Sequence, residues 1–495
     1  TVALKCDISK SSTGDYAQWS FSSNETFGAT GLTSGSSVTP GVASSSATTA
    51  KFTLTGTGTL AITLDPSSPS IALAQAGQEI VVTRLRLTTT NEAVDVKQLA
   101  LLLTNAASNT PADLVKLTLW DGATKVGEVT ATSSDSGLIV STTNLQVGKD
   151  ADKIIDVKAQ LSPIGNNESG RPGHLVSVDW DNVSENGTQV SYGVGVQSSD
   201  NVRPTSADTA SNGVRVVRAY PTITPVSLSS CGGNNVLDDL SEEVLYCFSV
   251  AAPSGTNGVS LYKFTFNIAT TGDDSGYTDF NATNLVTYAY TNSNFSGPKY
   301  SSNGQLNNGS LLASTDGNND GVDTVRATST DYVIFFNPAD PTDTAFNTAA
   351  EAIAVSAGET VYFKLVGTVS GSDAGDSMTV QLMGDNAWYG IGNTSGGTLT
   401  YDDAGFLEGS ITYGFATTAP ILASASSAGS AGENVGATGG NTAAGGGAGA
   451  DFIWSGNSTT THSGQAGNTG PDWYNGFIVP GLPSSGGTQV SLTKS

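Results

Sequence analysis

Apolar and polar residues alternate along most of the chain, and they almost never recur at helical spacing. Val81, then Arg84-Leu85-Arg86-Leu87, then Val94-Asp95-Val96 read as half-buried strands bounded by Gly, Asn, Asp and Ser turns. Turn signals come about every ten residues, the spacing of β-sandwich strands. The longest apolar runs, such as Leu99–Leu103 and Ile353–Val355, are strand-sized and fall far short of the roughly eighteen residues a membrane helix needs. The pattern predicts an all-β chain of tandem immunoglobulin-like β-sandwich domains.

The strand order occurs twice. Val96–Leu99, Asp113–Gly122, Ile154–Leu161 and His174–Asp179 are answered in the same order by Leu261–Phe264, Asn284–Tyr290, Thr360–Gly367 and Met378–Leu382. The offset grows from about 166 to about 206 residues, because the second block carries longer loops near its middle. Two sandwiches are therefore expected, at 66–218 and 219–423. Residues 1–65 read as a Ser/Thr-rich β region with strand-like pieces at Thr1–Cys6 and Lys51–Thr55. Residues 424–450 are a Gly/Ala/Ser tract with too few large apolar groups to pack, hence a flexible linker or loop. Order is expected to return in a C-terminal β segment, 451–495, where Gln489-Val490-Ser491-Leu492 alternates like an edge strand.

Composition narrows the class. Charged residues make up 13% of the 495, about half the usual share, and 44 Asp and Glu outnumber 20 Lys and Arg to give a net charge of −24. Such a surface repels nucleic-acid phosphates and anionic lipid alike. The polar, uncharged remainder of Ser, Thr, Asn and Gly fits secreted or cell-surface material. The first residue is Thr1, not Met, and a removed signal peptide is expected upstream. Cys231 and Cys247 lie sixteen positions apart and are expected to form a disulfide, since no CxxC or Cys/His cluster points to a metal instead. Cys6 is left over, as a free thiol or as the hook for a bond to another chain.

The tail is the most distinctive stretch. Asp451-Phe452-Ile453-Trp454-Ser455-Gly456-Asn457-Ser458, then Asp472-Trp473-Tyr474-Asn475-Gly476-Phe477 and Val479-Pro480-Gly481-Leu482-Pro483, resembles the C-terminal signature of one family of surface proteins. These are the S-layer-like extracellular proteins of candidate-phyla (Patescibacteria-type) bacteria. Asp113–Gly122, Leu261–Phe264 and Asn284–Tyr290 resemble other parts of the same family, so the likeness spans about 66–495. It implies export, β-sandwich repeats and a place in a cell's outer coat. It supplies no catalytic residues.

The best chemical motif is Asp316-Gly317-Asn318-Asn319-Asp320-Gly321-Val322-Asp323, which fits the core of a calcium loop. Oxygen ligands at alternate positions wrap one ion, and Gly321 permits the sharp turn. Asp316, Asn318, Asp320 and Asp323 are the expected calcium ligands. The twelfth position is Ala327 instead of a bidentate Glu, so the loop is of the short extracellular kind and not an EF-hand. The competing reading is an ordinary Asn/Asp/Gly turn. Asp273, Asp274 and Asp279 form a weaker carboxylate cluster.

Catalytic equipment is sparse. His174 lies in a predicted strand and His462 in a Thr/Gly/Ser stretch, and nothing local supplies the carboxylate that a Ser–His–Asp triad requires. Trp120, Trp180, Trp388, Trp454 and Trp473 are expected in cores and not on sugar-stacking surfaces. Leu482-Pro483-Ser484-Ser485-Gly486 echoes a sortase site but lacks the apolar helix and basic tail that such a signal requires. Asn-x-Ser/Thr sequons occur as often as chance supplies in so polar a chain, so they permit glycosylation without indicating it.

These observations converge on a structural, self-assembling cell-surface protein, an S-layer or extracellular filament subunit and not an enzyme. Its expected partners are copies of itself and cell-envelope glycans. Terminal strands, Thr1–Cys6 or Gln489–Leu492, are expected to complete a neighbour's sheet through their free backbone groups. The alternative is a surface adhesin or carbohydrate-binding protein that forms no lattice.

Overall fold

A computed structural model of the chain describes residues 16–18, 29–38, 52–53, 56–103, 111–131, 138–165, 167–181, 190–271, 281–300, 302–306, 324–326, 331–335, 353–385, 390–391, 400–401, 407–408, 451–458, 473–482 and 488–495. Among these residues there is no α-helix, and the class is all-β as the alternation predicts. Among the described residues no helix is long and apolar enough to cross a membrane.

The first unit contains β1 (Thr59–Leu64), β2 (Ala72–Gln75), β3 (Glu79–Thr90), β4 (Val94–Leu103), β5 (Leu114–Asp121), β6 (Thr124–Thr130) and β7 (Leu138–Val147). It continues with β8 (Asp152–Leu161), β9 (His174–Val176), β10 (Val178–Trp180), β11 (Tyr192–Gly195), β12 (Asn201–Val202) and β13 (Val214–Val217). The second unit contains β14 (Thr222–Pro225), β15 (Glu243–Ala251), β16 (Val259–Thr271), β17 (Asn281–Tyr290), β18 (Thr324–Arg326) and β19 (Asp331–Phe335). Its later strands are β20 (Ile353–Val355), β21 (Thr360–Ser370), β22 (Ser377–Leu382), β23 (Phe452–Ser455), β24 (Trp473–Asn475) and β25 (Val490–Thr493).

In the first unit β1-β3-β8-β5 are hydrogen-bonded in that order, and β4 runs between β7 on one side and β10 and β11 on the other. A short sheet, β9-β13-β2, completes the unit, with β13 parallel to β2. The second unit repeats most of this pairing. β14-β15-β21-β17 stands for β1-β3-β8-β5, and β16 takes the place of β4. β16 is flanked by β19 and β20 on one side and by β22 and β23 on the other. β25 runs antiparallel to β22 and bridges Val236 in parallel, as β13 does with β9 and β2. Two differences account for the growing sequence offset: 33 residues separate β17 from β18 where two separate β5 from β6, and the second lies at β7. β7 breaks register between Ser141 and Leu145, and there the second unit has two separate strands, β19 and β20, with residues 336–352 between them.

Two boundaries differ from the expectation. β1 precedes residue 66 and pairs with β3 along six residues, so the first unit begins inside the region set apart as 1–65. The segments of 451–495 do not stand alone: β23 and β25 pair with β16 and β22 of the second unit. A local shift in composition cannot reveal a strand that returns across a long Gly/Ala tract. The edge strand expected at Gln489–Leu492 is likewise filled within its own chain by β22, so it is not left free for a neighbour. Thr1–Cys6 and 424–450 lie outside the described residues.

The cores differ in character. The first is aliphatic, with Leu85, Leu99, Leu117, Val140, Val157 and others around a fully buried Trp180. The second is aromatic: Phe248 stacks on Phe363 at 5.1 Å and Phe264 on Phe452 at 5.2 Å, with Phe264 edge-on to Phe363. Such ring geometries add to the area they bury. Phe452 places the tail at the centre of this core.

Cys231 and Cys247 are disulfide-bonded, tying the short 3-10 turn Leu228–Cys231 to β15. Closing a loop of sixteen residues is worth about 3 kcal/mol, chiefly by restricting the unfolded chain. A Cys231→Ser/Cys247→Ser variant is therefore expected to lose about that much in denaturant unfolding. Equal unfolding midpoints for the two proteins would exclude a stabilising role for the bond.

Candidate functional site

The most constrained region is the seam between the units together with the tail that closes it. The chain passes from β13 to β14 in four residues. Val217 and Ala219 are buried in the second core, where Leu73 from β2 joins them. Ala76 N donates to Val217 O at 2.8 Å, and Arg218 Nη1 donates to Asn457 O at 3.2 Å. Gly456 lies so close to this linker that a Cβ would stand 2.6 Å from the Ala219 carbonyl oxygen. A cleft of about 440 Å3 remains at the seam, lined among others by Gln75, Ile164, Glu168, Arg218 and Thr256.

The tail is anchored by one carboxylate. Asp385 is fully buried and accepts N–H bonds from Asp451 at 2.9 Å, Phe452 at 3.4 Å and Gly476 at 2.5 Å. It thereby fixes both β23 and the turn after β24. Trp454 Nε1 donates to Asn475 O at 2.8 Å, and the Trp454 ring packs on Tyr474 at 5.0 Å. Gly481 (φ +80°) lets Pro480 O receive Ile223 N at 2.8 Å; a Cβ there would stand 1.7 Å from the Ile223 carbonyl oxygen. The tail residues that make the sequence distinctive are therefore packing residues at the close of the second unit.

Several candidate residues can now be placed. The calcium candidates Asp316, Asn318, Asp320 and Asp323 lie outside the described residues, as do Asp273, Asp274, Asp279, His462, Trp388 and Cys6. No three His, Cys, Asp or Glu side chains gather as a metal set among the described residues. His174 requires a correction. Asp113, a buried carboxylate distant in sequence, lies 2.8 Å from its Nδ1 and also accepts Arg171 N. Strand pairing brings the two together, which no local reading could show. No hydroxyl or thiol is hydrogen-bonded to His174 among the described residues. Trp180 and Trp454 are fully buried, whereas Trp120 is half-buried on an outer face with the Lys158 ammonium 4.1 Å from its ring centroid.

No protein-family model matches the chain, and no curated protein matches it. Among solved structures it is similar to the C-terminal domain of the AgI/II polypeptide BspA of Streptococcus agalactiae, at 9% identity and a TM-score of 0.17 over 66% of this chain and 96% of that one. It is also similar to a serine-rich repeat protein (Srr2) of S. agalactiae, at 11% identity and a TM-score of 0.16 over 66% of this chain and 87% of that one. The collagen adhesin of S. aureus shows 9% identity and a TM-score of 0.14 over 66% and 85%. At such TM-scores the likenesses carry no functional weight.

One buried acid near β25 is not satisfied. Glu243, the first residue of β15, is 3% exposed, and its Oε2 has no hydrogen-bond partner. Burial pushes its pKa up to about 7, the Asp238 carboxylate adds to the rise and the Lys494 ammonium opposes it. A raised carboxyl pKa means that the folded state holds its proton after the unfolded chain has lost it. Stability from this group is present below about pH 4.5 and falls as pH rises towards 7. The loss is of order 1–3 kcal/mol. Glu243→Gln, which mimics the neutral acid, is expected to flatten the decline of thermal midpoint between pH 5 and 8. A wild-type midpoint that is level or rising over that range would contradict the assignment.

Proposed function

We propose that the chain is a structural subunit of an extracellular coat, an S-layer-like sheet or a surface filament. The seam carries this reading. Two units of related sandwich topology are joined by only four residues and share an apolar contact of Leu73, Val217 and Ala219, which favours a repeating unit with restricted bending over beads on a long string. The resemblance of the tail to S-layer-like surface proteins supports the same reading, as does a surface dominated by uncharged polar residues. Calcium in the Asp316–Asp323 loop belongs to this proposal as a structural ion. Because β25 is paired within its own chain, subunits meet through sheet faces or through the segment before residue 16.

Negative-stain microscopy of the purified protein is expected to show ordered sheets or filaments, and persistent monomers would overturn the reading. Deleting 486–495 separates two roles for the last strand. Leu492 is fully buried, so its loss is expected to lower the melting temperature of the second unit. A truncated protein that melts like the full chain but no longer polymerises would instead make β25 a donated strand. Chelation with EGTA is expected to lower the thermal midpoint or dissolve assemblies; an unchanged melting curve removes calcium from the proposal.

A further inference from the structure

The outer face of β17 and β21 carries polar groups that neither the core nor the loops use. Tyr288 is the register partner of Lys364, and Tyr290 that of Tyr362. Facing residues on neighbouring strands stand about 5 Å apart, so these four side chains form one patch. Lys364 Nζ lies 5.8 Å from the Tyr288 ring centroid and 5.5 Å from that of Tyr290. Phe295 forms a wall, edge-on to Tyr290 at 5.6 Å and to Tyr362 at 5.8 Å. Its loop is held by Asn292 Oδ1, which accepts Ser296 N at 3.0 Å and Gly297 N at 3.3 Å.

The Glu242 charge reaches the same patch. It opposes the fall that burial imposes on the Lys364 pKa and, after burial, adds to the rise at Tyr288. Among the described residues, no protein hydrogen bond is made by the three tyrosine hydroxyls, the Lys364 ammonium or the Glu242 carboxylate. A half-desolvated ammonium without an oxygen acceptor is costly, and a ligand oxygen would relieve that cost.

The chemistry specifies the ligand. Tyr288 and Tyr362 are half-buried rings with free hydroxyls, backed by the buried rings of Tyr290 and Phe295, and such a surface suits a molecule with an apolar face and polar edges. The ammonium and carboxylate supply one donor group and one acceptor group of opposite sign. Glu242 and the net charge of −24 repel anions, while Lys364 repels cations at short range. We propose that the face formed by Tyr288, Tyr290, Tyr362, Lys364, Phe295 and Glu242 binds an uncharged saccharide. Sugar C–H groups lie on the rings, and sugar hydroxyls bond to Lys364 and Glu242. This binding is separate from subunit assembly and does not depend on it.

The test is calorimetric titration of the full chain with chitotriose, cellotriose and mannotriose, with a galacturonate trimer as the anionic probe. At least one neutral trimer is expected to bind, and the galacturonate more weakly or not at all. Lys364→Met and Tyr288→Ala are expected to weaken binding about tenfold or more, and Tyr288→Phe by a smaller factor, because the ring remains. Thermal melts of each variant separate lost binding from lost folding, and Tyr288→Phe retains the packing surface if the larger changes do not fold. Trp120→Ala, on the first unit, is expected to leave affinity unchanged. The proposal fails if no neutral trimer binds at millimolar concentration, if galacturonate binds more tightly, or if folded Lys364→Met binds like the wild type. Loss of sugar binding with intact polymerisation would leave the coat reading untouched.

Discussion

Carboxylates that capture backbone N–H groups hold the loops of both units, buried at Glu92 and Asp385 and exposed at Asp239. Glu92 accepts Gly58 N, Gln197 N, Ser198 N and Ser198 Oγ, joining the entry to β1 with the loop after β11. Asp239 accepts Gly371 N, Ser372 N and Ser372 Oγ, and Asp385 accepts three N–H groups of the tail. Ionised acceptors make stronger bonds than neutral ones, and in a chain with few cations the main chain is the available donor. The pKa values agree. Burial raises the Glu92 carboxyl, and the N–H groups of Ser198, Gly58 and Gln197 more than offset it. The Ser372 hydroxyl and N–H hold Asp239 below its ordinary value. Part of the acidic excess is therefore internal structure and not a solvated repelling surface.

Much of the fold is legible in the sequence because its signal is local. In β21, the alternation of Val361, Phe363 and Leu365 with Tyr362 and Lys364 marks one buried and one outer face. The internal duplication can be read because strand order survives changes in loop length, and the Ser141/Leu145 break shows how: an irregularity in one unit is the insertion point in the other. The tail's place cannot be read this way. Pairing Phe452 with Phe264 depends on contacts nearly two hundred residues apart, and no periodicity encodes them. The same holds for Asp385 with Gly476, and for Asp113 with His174. Nor does alternation distinguish Lys364 from any other outward lysine, since its character comes from the rings beside it.

Equivalence between the units also bears on how the chain ends. β13 completes the first sandwich against β2 and β9, then leads directly into the second unit. β25 occupies the same position in the second, bonded through Leu237 N to Thr493 O and Thr493 N to Asn235 O. Each unit is thus finished by its own last strand. In the first unit Leu60 at β1 bridges Pro204 just beyond β12, which covers part of that sheet edge. Covered edges suppress uncontrolled strand addition.

Side-chain faces are also available to make contacts, and the two units present different ones. The outer face of β3 and β8 is satisfied internally: Arg84 pairs with Asp156 at 2.8 Å, and Arg86 with Asp65 at 2.7 Å and Asp152 at 2.9 Å. Such half-exposed pairs add little stability, but they leave few charges seeking a partner. The equivalent strands of the second unit carry Tyr362 and Lys364 on β21, and Tyr288 on β17 extends the face without a carboxylate in contact with the ammonium. The two units share much of a scaffold and differ in surface. One face is closed by its own ion pairs, and the other holds tyrosine hydroxyls and an ammonium with no protein hydrogen-bond partner among the described residues.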